Sequence, residues 1–240
     1  MAQVSTGPIT RRARRRTETT AEIKDTALRL MGDGGPGAIT LRAIAREMGM
    51  TANAVYSYFA TRDDLVTALI RDVYGDLADV LTAARDSRPE GDAAGRILAW
   101  AGAFREWSLT HTEGFRLIYG DPIPGYREPE GGAAPEAGNR VCAVLTGLAA
   151  SARPGAAAAH AGDEFDWTDF DPTLVAEVRA LFPDLSPVVL AIALRMWGHL
   201  HGLVSLEILG HLRTLTTDPD KLYRAEVKQM ILGLGLEPPS

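Results

Sequence analysis

Residues Ile39 to Leu65, ITLRAIAREMGMTANAVYSYFATRDDL, read as two short helices parted by a glycine turn and followed by the start of a longer helix. Thr40 is a suitable N-cap, because its hydroxyl can accept from an otherwise unpaired amide in the first turn. Leu41, Ile44, Ala45 and Met48 then recur at i, i+3, i+4 and i+7, which is one face of a helix. Gly49 stands at the C′ position, where a left-handed backbone costs glycine little. Thr51 can cap a second short helix whose apolar positions, Val55 and Phe59, lie one turn apart. The spacing is that of a helix-turn-helix, whose second helix enters the DNA major groove. On this reading the stretch touches DNA, and the rest of the chain decides when.

The bulk of the sequence agrees with a globular chain. Its 240 residues suffice for one large or two smaller domains, and 46% are apolar against 23% charged. Cys142 is the single cysteine, which rules out an intramolecular disulfide framework and fits a reducing cytoplasm. Five arginines between Arg11 and Arg16 have no apolar run behind them, so a secretory signal is not expected. No stretch offers the ~20 uninterrupted apolar residues of a membrane helix. The net charge of −6 is unevenly spread: residues 1–72 carry 11 basic and 8 acidic side chains, and residues 73–240 carry 14 and 23. A basic head on an acidic body fits a DNA reader with a second, non-DNA domain.

Residues 1–17 read as a disordered basic arm, either a solvated tail or a contact to phosphate, with the minor groove as one place for it. Residues 18–72 read as the DNA-binding domain and 73–240 as a larger helical domain. A first helix spans about Glu18 to Met31, with Ile23, Ala27, Leu30 and Met31 apolar. GDGGPG, Gly32 to Gly37, lacks the lysine and hydroxyl ending of a P-loop and reads as a connector. Thr61 caps a long helix to about Ala84, with Asp63 and Asp64 favoured in its first turn.

Further helices are expected over about Ala93–Tyr119, bent near His111–Gly114, and over Asn139–Ser151, Thr173–Leu181, Ser186–Leu212 and Asp218–Leu234. Asp121–Gly138 and Arg153–Pro172 are too rich in proline, glycine or acid for regular structure. The stretch Ser186–Leu212 is apolar nearly all round and must be covered on every side, by its own core and by a partner subunit. No strand periodicity is present, so the fold class is all-α.

The N-terminal block resembles the DNA-binding domain of the tetracycline-repressor (TetR) family through Thr40, Ala45, Gly49, Val55-Tyr56, Tyr58-Phe59, Arg62 and Asp64-Leu65. MWGHLHGLVSLE, with Trp197, His201 and Gly202, is similar to a subgroup with a Trp-His-Gly signature, as is FREWSLTHTEGFRLIYGDPIPGY. The resemblance implies a homodimeric repressor on a palindromic operator, dimerised near 186–212 and 218–234 and released by a small hydrophobic ligand.

It also implies site residues. Arg42 matches a position that reaches guanine, and its guanidinium suits O6 and N7; a phosphate contact is the alternative. Thr51, Ala52, Asn53 and Tyr56 open and line the groove-facing helix, Asn53 being able to address an adenine edge. Thr40, Tyr58 and Arg62 match phosphate-holding positions. For the ligand, the aromatic cluster Trp107, Phe115, Tyr119 and Tyr126 is expected to form a pocket closed by Trp197 and His201, although aromatics at helical spacing also serve as plain core.

His199 and His201 point about 200° apart on a helix and cannot share a metal, so neither metal nor cofactor is expected. Cys142 reads as a small buried apolar residue. The alternatives are a dimeric regulator without a ligand, or an enzyme using the helical body, for which no catalytic pattern appears. A cytoplasmic DNA-binding regulator is the reading taken forward.

Overall fold

The computed structural model describes residues 10–152 and 164–238, and among these every regular element is helical. In order these are α1 (Arg11–Gly34), α2 (Leu41–Glu47), α3 (Ala52–Tyr56), α4 (Arg62–Asp86) and α5 (Ala93–Thr110). Then follow α6 (Thr112–Tyr119), α7 (Pro135–Ser151), α8 (Pro172–Leu181), α9 (Pro187–Ile208) and α10 (Pro219–Gly233). Short 3₁₀ turns occupy Pro36–Ala38 and Trp167–Asp169.

The chain forms two compact units, Met1–Asp72 with Glu113–Ala133, and Val73–Thr112 with Ala134–Ser240. The segment 113–133, which sequence reading places in the body, therefore belongs with the head. Long-range hydrogen bonds explain this: Tyr126 Oη lies 3.0 Å from Thr67 Oγ1, and the amide of Arg127 donates to Asp63 Oδ2 at 3.3 Å.

The first unit is built on Ile23, Ile39, Ile44, Val55, Leu65 and Val66, all fully buried. α1 packs on α2, and α2 on α3. Gly49, at φ 64°, supplies the left-handed turn between them. The basic segment expected to be disordered is helical from Arg11 onward. Thr10 caps it by accepting from the Ala13 amide at 3.2 Å, and Arg14 pairs with Glu18 at 3.2 Å.

In the second unit, α9 packs against α5, α7 and α10. Trp100, Phe104, Leu148, Leu190, Leu200 and Val204 form its core, with Trp100 and Phe104 stacked at 5.8 Å between ring centroids. α7 begins at Pro135, four residues before the expected start. Proline suits the first helical turn, where its missing amide is not needed. α9 stops at Ile208 rather than Leu212, because Gly210 takes φ 79° and turns the chain. By length and hydropathy α9 passes as a membrane span, yet it carries Arg195, His199, His201 and Glu207.

α9 is not covered all round within its unit. Leu194 and Leu206 remain 42% and 41% exposed, and a Cβ added at Gly198 or Gly202 would meet open space. Of the stretch Arg153–Pro172 expected to be irregular, residues 153–163 lie outside the described residues, and the remainder holds only the short turn Trp167–Asp169 before α8.

Candidate nucleic-acid interface and ligand site

The helix-turn-helix is organised by two threonines. Thr40 Oγ1 accepts from the Ala43 amide at 3.1 Å, and Thr51 Oγ1 accepts from the Ala54 amide at 3.2 Å. Each hydroxyl keeps its own O–H as a donor, and each sits exposed at a helix N-terminus where oriented amides favour an anion. Val55 and Phe59 turn inward and are buried, which leaves Asn53 and Tyr56 on the opposite, exposed face of α3. Ala52 is half-buried beside them, and Arg42 is exposed on α2. The caps and the buried pair therefore aim Asn53 and Tyr56 away from the core.

Two residues have roles beyond those expected. Tyr58 lies beneath the guanidinium of Arg16, 4.9 Å from its ring centroid, and Arg16 Nη2 donates to the Ser57 carbonyl at 2.9 Å. Arg62, expected at a phosphate, also spends its fork on carbonyls within the head. Nε donates to Ile39 at 2.6 Å, Nη1 to Pro124 at 2.9 Å and Nη2 to Pro36 at 3.4 Å. Its planar array of donors fits three oxygens at once, which makes Arg62 a strut of the head.

The six residues expected to hold a ligand divide between the units. In the first, Phe115 and Tyr119 form a tilted pair at 5.2 Å, while the Tyr126 hydroxyl is taken by Thr67. In the second, Trp107 Nε1 donates to Asp76 Oδ2 at 2.6 Å, and its ring stacks on His111. Trp197 lies against His201 at 5.1 Å and against Phe104 at 5.2 Å. Trp100, Phe104, Trp197 and His201 thus form a continuous aromatic run from α5 to α9. Trp100 and Phe104 are not among the residues expected from sequence at a ligand site, since nothing local to α5 reveals their long-range partners.

Burial lowers the His201 pKa, favouring the neutral imidazole. Trp100 Nε1 is buried with no hydrogen-bond partner among the described residues. The indole N–H of Trp100 and the imidazole of His201 stand at the two ends of this aromatic run, and His201 Nδ1 lies 3.4 Å from Ser205 Oγ. Two open grooves of this unit are lined by other residues. One, of about 280 Å³, lies between α9 and α10 against Ile192, Met196, His199, Glu226 and Met230. The other, of about 550 Å³, runs over Leu98, Arg105, Leu109, Tyr223 and Val227.

Beside that larger groove, Arg105 binds Glu207 bidentately at 2.7 and 2.9 Å and Asp220 at 2.9 Å, joining α5, α9 and α10. His199 Nδ1 meets Glu226 Oε1 at 2.7 Å, whereas His201 lies tilted against Trp197, so the two histidines serve different neighbours. No metal-holding group of His, Cys, Asp or Glu occurs among the described residues. Cys142 is half-buried, and burial pushes its thiol upward, away from the reactive thiolate.

Comparison with known proteins gives a consistent picture. Residues 23–69 match the family model described as bacterial regulatory proteins, tetR family, and residues 97–230 match the tetracyclin repressor-like C-terminal domain. The HTH-type transcriptional regulator Rv1816 of Mycobacterium tuberculosis is 32% identical over 227 residues, covering 92% of this chain and 94% of its own. The crystal structure of SCO4313 is 35% identical with a TM-score of 0.72, covering 92% of this chain and 99% of its own. A tetR-family regulatory protein from Rhodococcus RHA1, 20% identical over 93% of this chain and 98% of its own, shares the fold at a TM-score of 0.59.

Proposed function

The chain belongs to the TetR family of helix-turn-helix transcriptional regulators, and on that premise we propose that it acts as a homodimeric repressor released from a palindromic operator by a small apolar ligand. The exposed face of α3 carries this reading. Asn53 and Tyr56 stand out from a helix whose other side is locked by Val55 and Phe59. Asn53 pairs with an adenine edge, Ala52 meets a thymine methyl, and Arg42 addresses guanine or an adjoining phosphate. Thr40, Thr51 and Tyr58 hold phosphates and set the register.

The uncovered stripe of α9 supports the dimer. Leu194, Gly198, Gly202 and Leu206 recur every four residues, and the two glycines let a second helix approach closely. The groove between α9 and α10 continues this face. Two-fold pairing there would present two heads to half-sites about 34–36 Å apart.

The ligand is an apolar molecule bearing a hydrogen-bond acceptor, taken up beside Trp100, Phe104, Trp197 and His201. It acts by favouring a body conformation in which the heads no longer match the operator, and it shifts the population only by its differential affinity for the two states. α4, which runs from Arg62 in one unit to Asp86 in the other, carries the change.

A second reading is a regulator without a ligand, favoured by the close stacking of Trp100 on Phe104. A thermal-shift screen with apolar metabolites separates the two, since uniform silence favours the unliganded form. Selection of bound duplexes from a random pool tests the main reading. The expected product is a palindrome, and recovery of no preferred sequence would refute it.

A further inference from the structure

α1 begins earlier than its core requires. Its first buried residue is Ile23, so twelve residues, Arg11 to Glu22, form helix without contributing to the interior. Arg11 through Glu18 are all exposed. The charge arrangement there opposes helix formation in the isolated protein. Five arginines occupy the first six positions and no acid stands in the first turn, although the N-terminal end of a helix dipole favours negative charge. Arg11 and Arg15, and likewise Arg12 and Arg16, are like charges one turn apart, which repel. Arg14 has Glu18, whereas no ion pair offsets Arg11, Arg12 or Arg15 among the described residues. A polyanion would relieve this repulsion.

The position of the segment identifies the polyanion. Arg16 donates to the Ser57 carbonyl at 2.9 Å and covers the Tyr58 ring at 4.9 Å. Ser57 is the C-cap of α3, so the basic turn is tied to the end of the helix that faces the groove. We infer that Arg11, Arg12 and Arg15 bind the phosphate backbone of the duplex that α3 reads, and that Arg16 is the positioning residue holding this spur in register. The inference rests on the DNA-reading role proposed above. A helix with side chains is about 10–12 Å across, and the minor groove is about 6 Å wide. The spur therefore lies across phosphates instead of threading the minor groove as an extended arm would.

Each phosphate neutralised steepens the salt dependence of binding by about 0.9 in log K against log salt. Three arginines on each of two heads give at most six contacts, or about 5 in slope. The test measures affinity of the full-length chain for its selected operator across a salt series. Arg11→Gln/Arg12→Gln/Arg15→Gln is expected to flatten the slope by about 3–5, and the same three sites as Lys to restore it. Arg16→Ala is expected to flatten it similarly, with the thermal midpoint unchanged, because it releases the spur without opening a core.

A control removes equal charge from the second unit, as Arg88→Gln/Arg179→Gln/Arg213→Gln, and is expected to leave the slope intact. An unchanged slope in the Arg11, Arg12 and Arg15 variant, with normal operator binding by the wild type, overturns the inference alone. An equal change in the control also overturns it, by showing a general charge effect. Absence of any wild-type binding to duplex DNA overturns both this inference and the DNA-reading role.

Discussion

Arg62 Nε donates to the carbonyl oxygen of Ile39 across 2.6 Å, which ties the first turn of α4 to the residue preceding the Thr40 cap. Ile39 is fully buried, and the other two donations reach Pro36 and Pro124. One side chain thus connects α4, the α1–α2 connector and the loop after α6 within the head. Arg62→Ala should destabilise the protein by about 1–3 kcal/mol, the usual cost of orphaning a buried hydrogen-bonding group. Arg62→Lys should recover only part, because an ammonium lacks the planar fork. Urea unfolding measures this. Unaltered stability combined with lost operator affinity would assign Arg62 to phosphate contact alone.

Asn53 and Tyr56 project from α3 into solvent, so their removal should leave folding untouched. Asn53→Ala and Tyr56→Ala should each weaken operator binding by about 1–3 kcal/mol, roughly 5- to 150-fold, and relax preference at particular bases. Arg42→Ala should do the same if it reads guanine, or weaken all sequences evenly if it holds phosphate. Titration of the selected operator and of a scrambled duplex distinguishes these outcomes. Wild-type affinity in all three variants would remove α3 as the reading helix.

The α9 stripe predicts a dimer broken by charge. Leu194→Glu/Leu206→Glu places like charges on an apolar face that is half-exposed in the single chain. Sedimentation should then report a monomer with native helical content, and operator affinity should fall because two linked heads become one. A variant that sediments with the wild type would exclude this face from the interface.

Arg105 and Glu207 retain only 16% and 17% side-chain exposure, and Asp220 shares the same guanidinium. Removing one partner strands a nearly buried charge. Arg105→Ala should cost about 2–4 kcal/mol, somewhat below the 3–5 kcal/mol of fully buried pairs. The joint replacement Arg105→Met/Glu207→Leu should be milder than Arg105→Ala, since the nearly buried Glu207 is then not stranded and the more exposed Asp220 keeps Arg224. Thermal and urea unfolding of both variants decide this, and equal losses would contradict the argument.

His201 is held below its ordinary pKa of 6.5 by burial beside Trp197. The unfolded chain therefore takes up the proton first as pH falls through about 6.5, and protonation favours the unfolded state. His201 contributes to a loss of stability on acidification that starts near that pH and continues down to the folded-state value. His201→Asn should flatten this part of the stability profile relative to wild type. Parallel profiles from pH 7.5 to pH 5 would mean that the imidazole is not burdened by burial.

The helix-turn-helix was legible in the sequence because its determinants are local. Thr40 and Thr51 cap amides three residues away, Gly49 turns the backbone, and Val55 with Phe59 repeats once per turn. The all-helical class and the aromatic body follow from the same short-range periodicity.

Tertiary structure decided the rest. Arg16 meets Ser57 across 41 positions, Arg62 meets Pro124 across 62, and Arg105 meets Asp220 across 115. No local pattern marks such pairs, because an arginine has the same helical preference whether it faces water, phosphate or a distant carbonyl. The arginine segment shows this most clearly. Its composition suggests a disordered tail, whereas its helix is capped locally by Thr10 and tied to Ser57 only once the chain has folded. Local sequence determined the helix-turn-helix itself; only folding determined which distant side chains brace it.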